Sequence, residues 1–159
     1  MLDEARAQRW LDDYVRAWET YDPAAIGELF SADAEYRWHP WDEGRAIAHG
    51  RQAIVSAWMK DRDTPGTYTG DYRPLLVHDD TVVAAGISRY YTDSKRTTLD
   101  REYHNLWIME FDREGRCKSF TEWFMKSPKK SSGACSCPNN DSVPSTAATG
   151  SVPDMIAVR

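Results

Sequence analysis

The sequence predicts an α+β fold in which helices come first and pack on one face of a strongly bent antiparallel sheet. Two observations carry that prediction. Apolar residues in the first 60 positions recur at helical spacing. Beyond position 66 the chain reads as four long strands whose connections are short enough to make hairpins. Helices packed on a curved sheet can enclose a blind pocket. A third observation sets the domain boundary. All nineteen aromatic residues lie in 1–126, whereas the last 33 residues hold 13 Ser, Pro or Gly. Residues 1–126 are therefore read as one domain and 127–159 as a flexible tail, too poor in apolar surface to offset the entropy of ordering.

The elements follow in order. Leu11, Tyr14, Val15 and Trp18 fall at i, i+3, i+4 and i+7, one face of a first helix, with Asp12, Asp13, Arg16 and Glu19 opposite. Asp22-Pro23 supplies a cap and a proline at the first position of a second helix, whose stripe is Ile26, Leu29 and Phe30. Glu35-Tyr36-Arg37-Trp38 alternates as a strand that ends at His39-Pro40. A third helix starts after Gly50 and turns Ile54, Val55, Trp58 and Met59 inward, with a break at Asp63 to Gly66. The strands are Tyr68 to Val77, Thr81 to Tyr91, Thr98 to Phe111 and Arg116 to Met125.

Composition excludes several classes. The chain has 159 residues, enough for one core, and a net charge of −5 without a Lys/Arg cluster. Nucleic acid and anionic membrane surfaces are poor partners for such a chain. No stretch is long and apolar enough to span a bilayer. The start, Met1-Leu2-Asp3-Glu4-Ala5-Arg6, lacks the pattern of a signal peptide, so a cytoplasmic location is expected. Three cysteines, Cys117, Cys135 and Cys137, do not make a disulfide framework, and no second Cys/His pair accompanies Cys135-Ser136-Cys137. Phosphate loops, nucleophile elbows and zinc-protease motifs are missing, so neither a cofactor nor a metal is expected.

Strand alternation selects the site residues. On the last strand Phe120, Glu122 and Phe124 share a face, with Cys117, Ser119, Thr121, Trp123 and Met125 on the other. A carboxyl between two phenylalanines is costly to ionise, which moves its pKa toward values useful for proton transfer. The same Glu122 could instead sit at a wet rim or form a structural bridge to Arg101. On the preceding strand Arg101, Tyr103, Asn105 and Trp107 share a face, mixing apolar bulk with placed polar groups as ligand pockets do. The opposite face carries Leu106 and Ile108, which with Trp123 suggest a homodimer interface. Ala84, Gly86, Ser88 and Tyr90 share a face whose small side chains leave space, and Gly86 marks a close approach or a bend. His39, between Trp38 and Pro40, could be a base, a hydrogen-bond donor or a strand-end residue. Tyr14 is either a core tyrosine or a donor to a ligand. Trp18 and Trp58 add further wall.

The order of these motifs resembles the nuclear transport factor 2-like superfamily, in its SnoaL-like branch, over roughly residues 5–126. The resemblance rests on the Asp22-Pro23 helix, Ser31-Ala32-Asp33-Ala34, Gly50-Arg51-Gln52-Ala53-Ile54, and a meander closing on Phe111-Asp112-Arg113-Glu114-Gly115-Arg116. It implies a cone-shaped α+β barrel, with about three helices in the concavity of a curved, mostly antiparallel sheet. It also implies relatives such as ketosteroid isomerase, scytalone dehydratase and limonene epoxide hydrolase. By that resemblance Tyr14 matches an oxyanion donor, His39-Pro40 matches a catalytic Asp-Pro with a one-residue shift, and Glu122 matches an inward acidic residue of epoxide hydrolases and cyclases. Trp107 stands where the isomerase has a protonated Asp, which argues against steroid isomerisation. Asp100 and Glu102 alternate away from Arg101, which argues against a faithful epoxide hydrolase triad.

Three functions follow as expectations. The first is a cofactor-free acid/base enzyme acting on a small hydrophobic metabolite, of isomerase, dehydratase, cyclase or epoxide hydrolase type. Glu122, His39 and Tyr14 would be catalytic. Trp18, Trp38, Trp58, Tyr90 and Arg101 would bind substrate, together with Tyr103, Asn105, Trp107, Phe120 and Phe124. The second is a binding module without chemistry, and the third a dimeric accessory domain whose aromatics fill their own pocket.

Overall fold

A computed structural model describes residues 2–128. Helix α1, Glu4–Thr20, starts where the Asp3 side chain accepts the Arg6 N–H at 2.8 Å. It ends at Tyr21, whose left-handed φ of 49° lets its N–H close on the Ala17 carbonyl. The strain of a non-glycine residue there is held by tertiary bonds, because the Tyr21 hydroxyl donates to Asp63 at 3.0 Å. Helix α2, Pro23–Leu29, is capped by Asp22 and begins with proline, as expected. Its stripe is one residue shorter than the periodicity suggests. Phe30 opens strand β1, Phe30–Arg37, where it pairs with Cys117. A short turn of helix at Gly44–Ala46 leads to β2, Ala48–His49, and then to α3, Arg51–Lys60. Gly50 caps α3 at φ 84°, a conformation that favours glycine.

The remaining strands are β3, Tyr68–His78, β4, Thr81–Tyr91, β5, Leu99–Phe111, and β6, Cys117–Lys126. They pair antiparallel in sequence order, and β1 joins β6 in parallel, so the sheet runs β2-β1-β6-β5-β4-β3. The sheet is curved and unclosed, with β2 and β3 as its edges. Pro74 is accommodated on the β3 edge, next to a register shift. Another shift lies between Glu110 and Phe111, where Phe111 pairs with Cys117 and Glu110 with Ser119. This bulge corrects the alternation read from sequence. Cys117 turns inward and is fully buried, while Lys118 bonds Asp80 at 2.8 Å.

The core lies between α1, α3 and the concave face of the sheet. Trp10, Leu11 and Tyr14 of α1 and Ile54 and Trp58 of α3 meet Phe30, Tyr36, Trp107, Met109, Phe111 and Phe120. Trp10 packs edge-on to Phe30 and Phe111 and donates its indole N–H to the Leu29 carbonyl at 3.0 Å. Alternation on β5 is clean: Asn105, Trp107, Met109 and Phe111 are buried, and His104, Leu106, Ile108 and Glu110 are exposed. Ser127, beyond the expected domain end, still donates its N–H to the Glu102 carbonyl. The expectation of a flexible tail, with Cys135 and Cys137, otherwise lies outside the described residues.

Gly86 has a packing reason. The Tyr72 ring lies against its backbone and stacks on Trp107 at 3.8 Å, and a Cβ at position 86 would run into that ring and the Asp71 carbonyl. Gly86→Ala should therefore cost about 1–3 kcal/mol through overpacking. Thermal denaturation should read this as a melting temperature lower by roughly 3–10 °C in a chain of this size. An unchanged melting temperature would show that Tyr72 can move freely.

Candidate functional site

Glu122 and Trp107 are directly opposed on β6 and β5, both on the concave face. The Trp107 indole N–H donates to Glu122 Oε1 at 3.1 Å. Above them Tyr14 of α1 and Tyr36 of β1 share a hydroxyl–hydroxyl bond of 2.9 Å. Burial pushes both phenols well above their ordinary pKa, and the nearby Glu122 charge pushes in the same direction. Burial is also the largest cause that raises Tyr68, Tyr72 and Tyr90, with the neighbouring Tyr68 for Tyr72 and Tyr90, Asp63 for Tyr90 and the Glu122 charge for all three adding smaller contributions. Glu122 thus acts electrostatically on five tyrosines contributed by α1, β1, β3 and β4.

A chain of polar groups runs beside this centre. Tyr68 and Tyr72 on β3 both bond the Ser88 hydroxyl on β4, at 3.1 and 2.7 Å, and Asn105 Nδ2 donates to the Tyr72 hydroxyl at 2.5 Å. Among the described residues three buried side-chain polar atoms have no partner: Asn105 Oδ1 and the indole nitrogens of Trp18 and Trp58.

The residues that reach solvent on this face form a mouth: Trp18, Trp38, Tyr90, Arg101, Tyr103, Glu122 and Phe124. Arg101 sits 4.0 Å over the Tyr90 ring and pairs with Asp63 at 2.8 Å and Asp100 at 3.0 Å. Simple alternation puts Asp100 on the opposite face from Arg101. A bulge explains their meeting, because Tyr90 pairs with Arg101 and Tyr91 with Leu99, which leaves Asp100 between. Across the mouth Phe124 packs edge-on to Tyr103 at 5.6 Å and lies 5.4 Å from the His39 ring. His39 Nδ1 lies 3.1 Å from Asp42 Oδ1, so with an ionised Asp42 it is the donor nitrogen and Nε2 is the acceptor in the neutral ring.

Several sequence expectations change here. The Tyr14 hydroxyl shares a hydrogen bond with the Tyr36 hydroxyl, in which either oxygen can donate. Trp58, Trp107 and Phe120 are 1%, 1% and 0% exposed, so they are core residues behind the site rather than its open wall. His39 stands at the rim beside Phe124, stacked on Trp41 at 5.0 Å. The structure does bring Tyr90, Arg101, Tyr103, Asn105, Glu122 and Phe124 to one face. Tyr21, Tyr36, Asp42, Asp63, Tyr68 and Tyr72 were missed. The spacing of Tyr68, Gly70 and Tyr72 on one strand face was the available signal for two of them, and Asp63 looked only like part of a break. Among the described residues no group of three or more His, Cys, Asp or Glu is placed to hold a metal, and no helix is long and apolar enough to cross a membrane.

This arrangement, three helices against the concave face of a curved, unclosed sheet, is the α+β architecture of the nuclear transport factor 2-like superfamily. Residues 11–120 match the SnoaL-like domain, and the chain belongs to that family. Among curated proteins none matches. Solved structures share the fold at low identity. An epoxide hydrolase/cyclase-like enzyme, SalBIII, described in pyran ring formation in the polyether salinomycin, is 18% identical with a TM-score of 0.60, over 79% of this chain and 95% of that one. An epoxide hydrolase of the LEH-like type from M. tuberculosis is 12% identical with a TM-score of 0.55, over 77% and 84%. An NTF-2 like protein of unknown function from Burkholderia xenovorans LB400 is 16% identical with a TM-score of 0.57, over 79% and 90%.

The tyrosine cluster generates a pH prediction. A phenol whose folded pKa lies above its unfolded value of 10.0 stabilises the fold fully below that value, and the contribution is lost as pH rises through the folded pKa. Tyr14, Tyr21, Tyr36, Tyr68, Tyr72 and Tyr90 are all raised. Stability should therefore fall steeply above pH 10. Their tyrosinate absorbance should stay silent until the fold opens, in one transition coincident with loss of circular dichroism. Ionisation of all eight tyrosines near pH 10 in the folded protein would contradict this.

Proposed function

We propose that the chain binds a small, largely apolar molecule at the mouth of the concave face and acts on it by cofactor-free general acid/base chemistry, with Glu122 as the proton-transfer group. The observation that carries the reading is Glu122 itself: a partly exposed carboxyl on the inner face, with Oε1 accepting the Trp107 indole N–H. A carboxyl can donate a proton in its neutral form and accept one when ionised, so Glu122 can serve in either direction. An epoxide hydrolase and a cyclase-like enzyme with this fold lend support to proton donation to an oxygen as its C–O bond breaks, or proton removal from a hydroxyl as a ring closes. His39 stands 5.4 Å from Phe124 at the rim, where a neutral imidazole oriented by Asp42 would handle a second proton.

A second reading is a binding module without chemistry. The packed interior favours it, since Trp58, Trp107 and Phe120 are almost fully buried. Glu122→Gln separates the two. Wild type and variant would be incubated with a bacterial metabolite extract, and free and bound small molecules followed by mass spectrometry. The expected result is a compound consumed by wild type at least about 100-fold faster than by the variant, with melting temperatures within a few degrees. A compound bound by both and consumed by neither would establish the binding module.

We also propose a homodimer through the outer sheet face. Leu106, Ile108 and Trp123 are each 38% exposed and Met125 74%, and Leu106 opposes Trp123 across β5 and β6. An apolar patch of this kind is a common dimer surface. Sedimentation equilibrium should give twice the chain mass for wild type and the single mass for Ile108→Glu. A monomeric wild type would remove the proposal.

A further inference from the structure

Asn105 is a polar residue built into an apolar interior, and one end of it has no partner. It lies on the inner face of β5 and is 7% exposed. Its Nδ2 donates to the Tyr72 hydroxyl, while its Oδ1 is buried and accepts nothing. A buried unsatisfied acceptor typically costs about 1–3 kcal/mol, so its presence calls for a function or a missing partner.

The amide is also firmly held. Tyr72, which fixes the Nδ2 end, is itself bonded to Ser88, stacked on Trp107 and seated against Gly86. The side chain cannot turn its oxygen toward Tyr72 without orphaning its N–H groups instead. Asn105 stands next to the solvent-reaching end of this face. Asn105 pairs directly across from Phe124, which is 39% exposed, and is two positions from the partly exposed Tyr103 on the same face. Glu122 is two residues from Phe124 on the neighbouring strand, so Asn105 and the carboxyl-bearing residue are diagonal neighbours on one face of the β5–β6 pair.

We propose that Asn105 is the specificity-determining residue of this site: its Oδ1 accepts a hydrogen bond from a hydroxyl or N–H group, so the site selects small apolar molecules that carry such a donor. The inference rests on the pocket reading given above and names the substrate class for it. A capped analogue, in which the donor is an ether, leaves Oδ1 unpaired and is rejected.

Calorimetric titration of the full chain with 2-naphthol and 2-methoxynaphthalene tests this, since the two differ at the donor. Wild type should bind 2-naphthol at least about tenfold more tightly, the worth of one buried hydrogen bond. In Asn105→Leu, of similar size and without an acceptor, the affinity for 2-naphthol should fall to that for 2-methoxynaphthalene, whose own affinity changes little. Equal binding of both probes by wild type overturns the role of Asn105 and leaves the pocket standing. Discrimination that survives in Asn105→Leu overturns it as well, by showing that the methyl group is excluded by size. Binding of neither probe by wild type removes the apolar pocket and this inference with it. Should Asn105→Leu fail to fold, naphthalene, smaller than both probes and without a donor, takes its place. Wild type binding naphthalene as weakly as 2-methoxynaphthalene supports the role of Asn105, and binding it as tightly as 2-naphthol overturns it.

Discussion

The Trp107–Glu122 pair is the constraint around which the concave face is arranged. A carboxyl on an inner face lined with aromatic rings loses hydration that those rings cannot replace, and the Trp107 indole N–H restores part of it. That bond exists because β5 and β6 pair antiparallel with position 107 opposite 122. A slip of one residue would turn Glu122 outward and Trp123 inward and would empty the site of its acid. The bulge at Glu110 and Phe111 absorbs one residue at the far end of the pair, which turns Cys117 into the core while 107 and 122 stay opposed.

The tyrosines follow from that placement. Five of them stand where the Glu122 charge is felt, and the hydroxyls of Tyr14, Tyr36, Tyr68 and Tyr72 are bonded to one another or to Ser88 and Asn105. Hydroxyls in such a cluster hold one another's orientation, which keeps the interior rigid while supplying polar atoms at set positions. Gly86 makes the cluster possible by letting the Tyr72 ring lie flat on the sheet. The rim is built differently. Arg101 is held by two carboxylates and a ring face, and Asp63 in turn ties the loop after α3 to Tyr21 at the end of α1. A rim held by charge and an interior held by packing differ in their response to salt, since screening weakens the first and spares the second.

Much of the fold was legible because its signals are local. Helical periodicity, the Asp22-Pro23 cap and the long alternating strands each depend on neighbours a few residues apart. Errors fell where a tertiary partner overrides the local pattern. Phe30 continues the apolar stripe of α2 yet is drawn into β1 by pairing with Cys117. The parallel pairing of β1 with β6 joins segments far apart in the chain, and nothing in either segment announces the other. For the site, alternation was enough to collect Arg101, Tyr103, Asn105, Glu122 and Phe124 on one face. It could not tell an open wall from a packed core, so Trp58, Trp107 and Phe120 were read as lining when they are buried behind it.

The sequence by itself determined the α+β class, the order and faces of its elements, and the identity of Glu122 as the inward acid, because alternation and helical period are properties of the backbone that any strand or helix must obey. Only the tertiary structure decided what that acid touches. The Tyr14–Tyr36 bond, the Asp63–Arg101 pair and the unpaired oxygen of Asn105 arise where distant elements meet, and the packing there is set by the shapes of all the side chains at once.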